Sequence, residues 1–202
     1  MDTEYRFPDW FLRNWSRAAL PMAVVLLALA TLLLDALGLA VWLVCLQLPV
    51  YMLHQYEEHA RGAFKAAVNA MRTDGREPFT DTNLLWINVV LVWVTFLVLL
   101  YAARYIDLAL GLVAPYGMLL NGLLHIRVAL VQRRPNPGLW TSVLLFLPIG
   151  AGSIYWIGRI AGASLGEHLL GLAGGIGLHL IVRVIVGATL RRGVAARAGS
   201  VG

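Results

Sequence analysis

Six apolar runs, separated by short polar or turn-forming joints, organise this chain. The first extends from Leu20 to Leu34 and stops at Asp35 and Gly38. The second covers Leu39 to Tyr56, the third Asn83 to Ala103, and the fourth Ile106 to Val131 after a tight turn near Arg104. The fifth, Leu139 to Ile157, begins after Arg133-Arg134-Pro135-Asn136-Pro137-Gly138, where two prolines and a glycine interrupt any helix. The sixth, Leu165 to Leu190, is rich in glycine. Each run approaches or exceeds the roughly 20 residues a helix needs to cross a bilayer. The runs are continuous rather than alternating, which excludes a closed β-barrel. The pattern predicts an all-α integral membrane protein of six transmembrane helices in three hairpins. Gly171, Gly174, Gly175 and Gly177 are expected to let neighbouring helices approach closely in lipid.

Composition agrees. Hydrophobic residues make up 59% of the 202 residues and charged residues only 13%, with mean hydropathy +0.73. Too few charges remain to solvate a water-exposed surface, so a soluble enzyme is excluded. The net charge of +5 carries no basic, aromatic-laced patch, which argues against a nucleic-acid partner. Of the 16 Lys and Arg residues, only Arg104 and Arg159 fall on one side of the expected bilayer. That asymmetry predicts cytoplasmic termini and an even number of spans in a bacterial inner membrane. Residues 1–19 hold Phe7, Trp10, Phe11 and Trp15 and are read as an interfacial segment; three acids among them argue against a cleaved signal peptide. Residues 20–190 form the transmembrane domain, and 191–202 a basic flexible tail. The single cysteine, Cys45, lies in an apolar run and is read as core filler.

Ionisable residues inside such runs are costly and mark candidate sites. The densest group is His54-Gln55-Tyr56-Glu57-Glu58-His59 at the end of the second run. His54, Glu57 and Glu58 share one helical face, within reach of a single ion. Two carboxylates and an imidazole suit a divalent metal, zinc first, with iron or manganese as alternatives, and also suit general acid/base work. His59 is rotated about 140° from His54 and is expected to point elsewhere. Asn121 and His125 lie one turn apart in the fourth run, Asn88 in the third, His179 and Arg183 one turn apart in the sixth. With alternating helix directions, His54, Glu57, Glu58, Asn121, His125 and Asn88 fall toward the cytoplasmic side, His179 lies at mid-depth and Arg183 deeper toward the cytoplasm. His54, Glu57, Glu58, His125 and His179 are the ligand candidates, with Glu57 and Glu58 also the catalytic candidates. Asn88, Asn121 and Arg183 are expected to orient ligands or bind substrate. Glu167 lies at the opposite end, where Ser164 and Glu167 have the spacing of a capping box. Asp107 is expected to cap the fourth run.

The motif His54-x-x-Glu57-Glu58, followed by Asn121-x-x-x-His125 and then Arg133-Arg134-Pro135-Asn136-Pro137-Gly138, resembles the HXXEE-domain family of small bacterial multi-span membrane proteins. The resemblance covers about Val41 to Arg192. It implies a membrane-bound, metal-dependent hydrolase or protease and marks His54, Glu57, Glu58, Asn121 and His125.

The residues support three function classes. The first is a metal-dependent hydrolase acting on a lipid-like or membrane-embedded substrate, with a glutamate as base. The second is a di-iron membrane oxidoreductase of the hydroxylase or desaturase kind, although the usual four carboxylates are absent. The third is a non-catalytic ion or proton relay, or a transporter, built on the same groups. The bilayer and a hydrophobic substrate are the expected partners, and the sequence leaves the oligomeric state open.

Overall fold

The structure is a computed structural model that describes residues 7–72 and 76–198. The described residues are helical apart from short joints, with no strand among them. Six helices are long and apolar enough to cross a membrane: Asp9–Leu37, Leu39–His59, Asp81–Tyr105, Leu108–Gln132, Leu139–Ala161 and Leu165–Arg191. They are the first to sixth long helices below. Each contains the core of one sequence run. Their outer faces present residues such as Leu32, Val98, Leu130, Leu144 and Leu170 to the surroundings, the apolar exterior that lipid requires.

The second long helix is the axis of the bundle and the most buried of the six. It carries Gln47, His54, Gln55 and Glu58, all buried. Around it the first helix packs through Ala19, Ala23 and Ala30, each at most 1% exposed, because residues this small admit a neighbouring backbone. A one-residue joint at Gly38, φ +72°, reverses the chain between them, a conformation only glycine adopts without strain. Trp42 Nε1 then donates to Ala30 O at 2.7 Å.

The first helix starts at Phe7, not at Leu20. Trp15 is 4% exposed and packs in the core with Leu48, Met52 and Phe96. Residues 7–19 of the segment expected to lie on the membrane are continuous with the first span, with Phe11 and Trp15 packed inward and Trp10 exposed, and residues 1–6 lie outside the described residues. At the other end the sixth helix continues to Ala198, so residues 191–198 of the expected tail are helical, and 199–202 lie outside the described residues. A short helix, Ala63–Ala70, occupies the loop between the second and third long helices. Lys65 Nζ to Asp81 Oδ1 at 2.8 Å and Asn69 to Phe79 O at 3.0 Å fasten it down.

The glycines of the sixth helix divide into two kinds. A Cβ at Gly171 would meet Leu112 and Tyr116, one at Gly174 would meet Val113, and one at Gly175 would lie 2.8 Å from Gly117 N. These three make the close approach to the fourth helix. Gly177 faces open space and has no such role, since it lies off that helix face. Both expected caps are present. Ser164 Oγ donates to Glu167 Oε2 at 2.7 Å and accepts from Glu167 N, and Asp107 Oδ1 accepts from Ala109 N at 2.9 Å. Two π-helical stretches, Trp86–Trp93 and Ser142–Phe146, interrupt the third and fifth helices, a geometry that recurs beside functional sites.

Candidate metal centre

The last turn of the second helix brings His54 and Glu58 to one face at i, i+4. The fourth helix, whose C-terminal end lies alongside, adds His125. One ligand atom from each of His54, Glu58 and His125 lies within 4.8 Å of the others. His54 Nε2 is 3.5 Å from Glu58 Oε2, and His125 Nε2 is 3.5 Å from Glu58 Oε1. Ligands bound tetrahedrally at the usual zinc distances stand about 3.4 Å apart, so small side-chain movements suffice to enclose an ion.

The other ring nitrogens explain why these atoms face each other. His54 Nδ1 lies 2.9 Å from Thr141 Oγ1, and that hydroxyl donates to Glu57 Oε2 at 2.5 Å. The hydroxyl proton is thus committed, and Thr141 Oγ1 accepts from His54 Nδ1–H. His125 Nδ1 lies 2.8 Å from Asn136 Oδ1, while Asn136 Nδ2 donates to His125 O at 2.8 Å. The amide orientation makes Nδ1 of His125 a donor as well. In the neutral rings both Nε2 lone pairs then aim at the Glu58 carboxylate. Acceptors aimed at a buried anion need a proton or a cation between them. Outer acceptors of this kind also orient histidines toward metals.

The two glutamates therefore part company. Glu58, 7% exposed, is the carboxylate inside the group. Glu57 turns to the fifth helix, accepting from Trp140 N at 3.1 Å, Thr141 N at 2.7 Å and Thr141 Oγ1. Those amides are unpaired first-turn donors at a helix N-terminus, where an anion is favoured. Glu57 is outside the ligand group and its oxygens are occupied. It fixes His54 through Thr141.

His59 does not point away from the group. Its Nε2 lies 3.0 Å from Glu58 Oε2, and its ring sits between Trp15 and Phe64. The 100° rule places Cβ atoms but not the reach of two adjacent side chains bent toward each other. Asn121 Nδ2 lies 3.3 Å from His54 Nε2 and donates to Tyr51 OH at 3.0 Å. Asn88 stays apart from the ligands: its Oδ1 accepts from Gln55 Nε2 at 3.0 Å and its Nδ2 donates to Leu84 O at 2.9 Å. His179 is also outside the ligand group, with Nδ1 2.9 Å from Gly175 O. It lines, with Arg183, a cavity of about 430 Å³ that reaches Glu58, His59 and His125.

Sequence reasoning passed over Gly138, Asn136 and Thr141. Gly138 has φ +88°, and a Cβ there would lie 2.7 Å from His54 Cε1 and 2.8 Å from His125 Cε1. The Asn-Pro-Gly run reads as a helix breaker, which it is. It also bears the only kind of residue that fits over the two imidazoles.

No curated protein and no solved structure matches this chain. The family model described as "Protein of unknown function with HXXEE motif" matches residues 42–152. That stretch is more than half of the chain and holds His54, Glu58, His125, Gly138 and Thr141, so the chain belongs to the HXXEE family.

Proposed function

We propose that this protein is a metal-dependent membrane hydrolase acting on a lipid-like substrate. The observation that carries the reading is the ligand set itself: two histidines and one carboxylate, His54, His125 and Glu58, with a cavity on their open side. Three protein ligands and one free position distinguish catalytic metal sites from closed structural ones. A divalent ion held there would polarise a carbonyl or phosphoryl oxygen and let a water lose its proton near neutral pH. The residues supply the rest. Thr141 and Asn136 fix the two imidazoles, Glu57 fixes Thr141, and His59, held by Glu58 and lining the cavity, is the proton acceptor. In this reading water adds its oxygen to the acyl or phosphoryl centre, and its proton passes through His59 to the leaving oxygen. The proposed setting is the bacterial inner membrane with both termini cytoplasmic, in keeping with the distribution of Lys and Arg.

A single group of potential ligands occurs among the described residues, which favours one ion over a di-iron pair. The test is elemental mass spectrometry of the detergent-purified full chain beside Glu58→Gln and His125→Ala, with esterase and phosphodiesterase assays on lipid substrates. One equivalent of zinc or a similar divalent ion, lost together with activity in both variants, is the expected result. Two irons per chain would favour the oxidoreductase. A metal-free, folded wild type from chelator-free preparation would overturn the hydrolase and favour a proton relay along His59, Glu58, His54, Thr141 and Glu57.

A further inference from the structure

The cavity beside the candidate metal centre is polar at one end and apolar at the other. The polar end is where the second, fourth and sixth long helices approach their C-termini, and it holds Glu58, His125, Gln132 and Arg183. The apolar end extends toward Gly117, Phe96 and Leu178. Gly117 precedes His125 by eight residues, which puts it about 12 Å deeper in the bundle.

The fourth and sixth helices fix where Arg183 stands. Gly171 packs on Leu112 and Tyr116, Gly174 on Val113, and Gly175 on Gly117. Contacts that advance together along both chains mean that the helices run parallel. From the Gly117–Gly175 contact, His125 and Arg183 are each eight residues further on, so they reach the same level, about 12 Å from the crossing. Arg183 thus stands level with a candidate metal ligand and lines the same cavity. Among the described residues, no hydrogen bond or ion pair holds its guanidinium. Arg183 is exposed at the cavity mouth, so its guanidinium is open to an anionic headgroup arriving from the membrane interface.

The geometry points to an anionic lipid as the occupant, with its phosphate-type headgroup against Arg183 and one hydrocarbon chain lying toward Phe96 and Leu178. This names the substrate class of the hydrolase described above and rests on that reading for its catalytic meaning. A zwitterionic lipid fills the apolar end equally well but leaves Arg183 facing no net negative charge.

The test uses the full-length chain in detergent, offered equal amounts of phosphatidylglycerol and phosphatidylcholine with identical acyl chains, with bound lipid read by native mass spectrometry. The wild type is expected to retain phosphatidylglycerol about fivefold over phosphatidylcholine, the size of one basic side chain's attraction for an anionic lipid. Arg183→Gln should bring the ratio near unity, and Arg183→Lys should keep most of it. Arg127→Gln, an exposed arginine away from the cavity, should leave it unchanged. Val182→Trp, which fills the cavity, should lower retention of both lipids. Equal retention by the wild type, or a preference that survives Arg183→Gln, overturns the inference. So does displacement of phosphatidylglycerol by millimolar inorganic phosphate, which would make a free anion the ligand. Metal content of the same samples separates the two readings. A metal-free wild type that still prefers phosphatidylglycerol sinks the hydrolase and keeps the lipid site. A metal-loaded wild type without preference sinks the lipid site alone.

Discussion

Gly138→Ala tests whether the fit over the two imidazoles is as close as the geometry requires. Two costs arise. The backbone at φ +88° disfavours any Cβ by about 1–2 kcal/mol. The new methyl would also lie 2.7 Å from His54 Cε1 and 2.8 Å from His125 Cε1, well inside the ordinary carbon contact of about 3.5–4.0 Å. His54 cannot retreat easily. It is fully buried, with Phe146 4.4 Å from its ring centroid and Thr141 on its Nδ1. Overpacking a site this confined costs about 1–3 kcal/mol. Together these predict a loss of about 2–5 kcal/mol, or roughly 5–15 °C in Tm for a chain of this size. The assay is thermal unfolding in detergent, monitored by circular dichroism. Gly162→Ala is the control, because Gly162 has φ +65° but nothing within 4 Å of its Cβ position, so it should lose only about 1–2 kcal/mol. Metal affinity should fall at least about tenfold in Gly138→Ala and stay unchanged in Gly162→Ala. If the two variants melt together and bind metal alike, the crowding argument is refuted.

Two further predictions follow from the same contacts. Thr141→Val keeps the side-chain volume but breaks the link from Glu57 to His54; metal affinity should drop about 10–100-fold by competitive titration, and an unchanged affinity would mean that Thr141 orients nothing. Gly175→Ala places a Cβ 2.8 Å from the Gly117 backbone and should cost about 1–3 kcal/mol in thermal unfolding, whereas Gly177→Ala should be neutral; equal effects would mean that the fourth and sixth helices are not in close register.

Much of this architecture is legible before any coordinates. Apolar runs long enough to span give the six helices, and the capping signals at Asp107 and Ser164 are local, so they read directly. The candidate ligand pair His54 and Glu58 is legible for the same reason, because i, i+4 spacing on one helix needs no tertiary information. His125 is found by matching depth across helices, which narrows the candidates without proving contact. The differences arise where a side chain's hydrogen-bond partner or packing neighbour, rather than its position on the helix, decides the outcome. Glu57 shares a face with His54, yet the N-terminus of the fifth helix offers it two amides and a hydroxyl. His179 has suitable chemistry and depth, but its Nδ1 turns back to Gly175 O within its own helix. Trp15 looks like an interfacial aromatic until the first helix is seen to pack it inward against the second.

The residues around Glu58 come from two sources. Residues 42–152, the stretch that the family model matches, carry the candidate ligands and the groups that orient them. The wall behind His59 is Trp15, and the cation beside the cavity is Arg183; both lie outside that stretch. The parts of the chain outside that stretch contribute none of the three candidate ligands, but they shape the wall and the charge of the cavity beside them. In the proposed reading, changes in those parts would alter the charge of the molecules admitted and leave the three candidate ligands in place, the flanking helices serving as a doorway to the core.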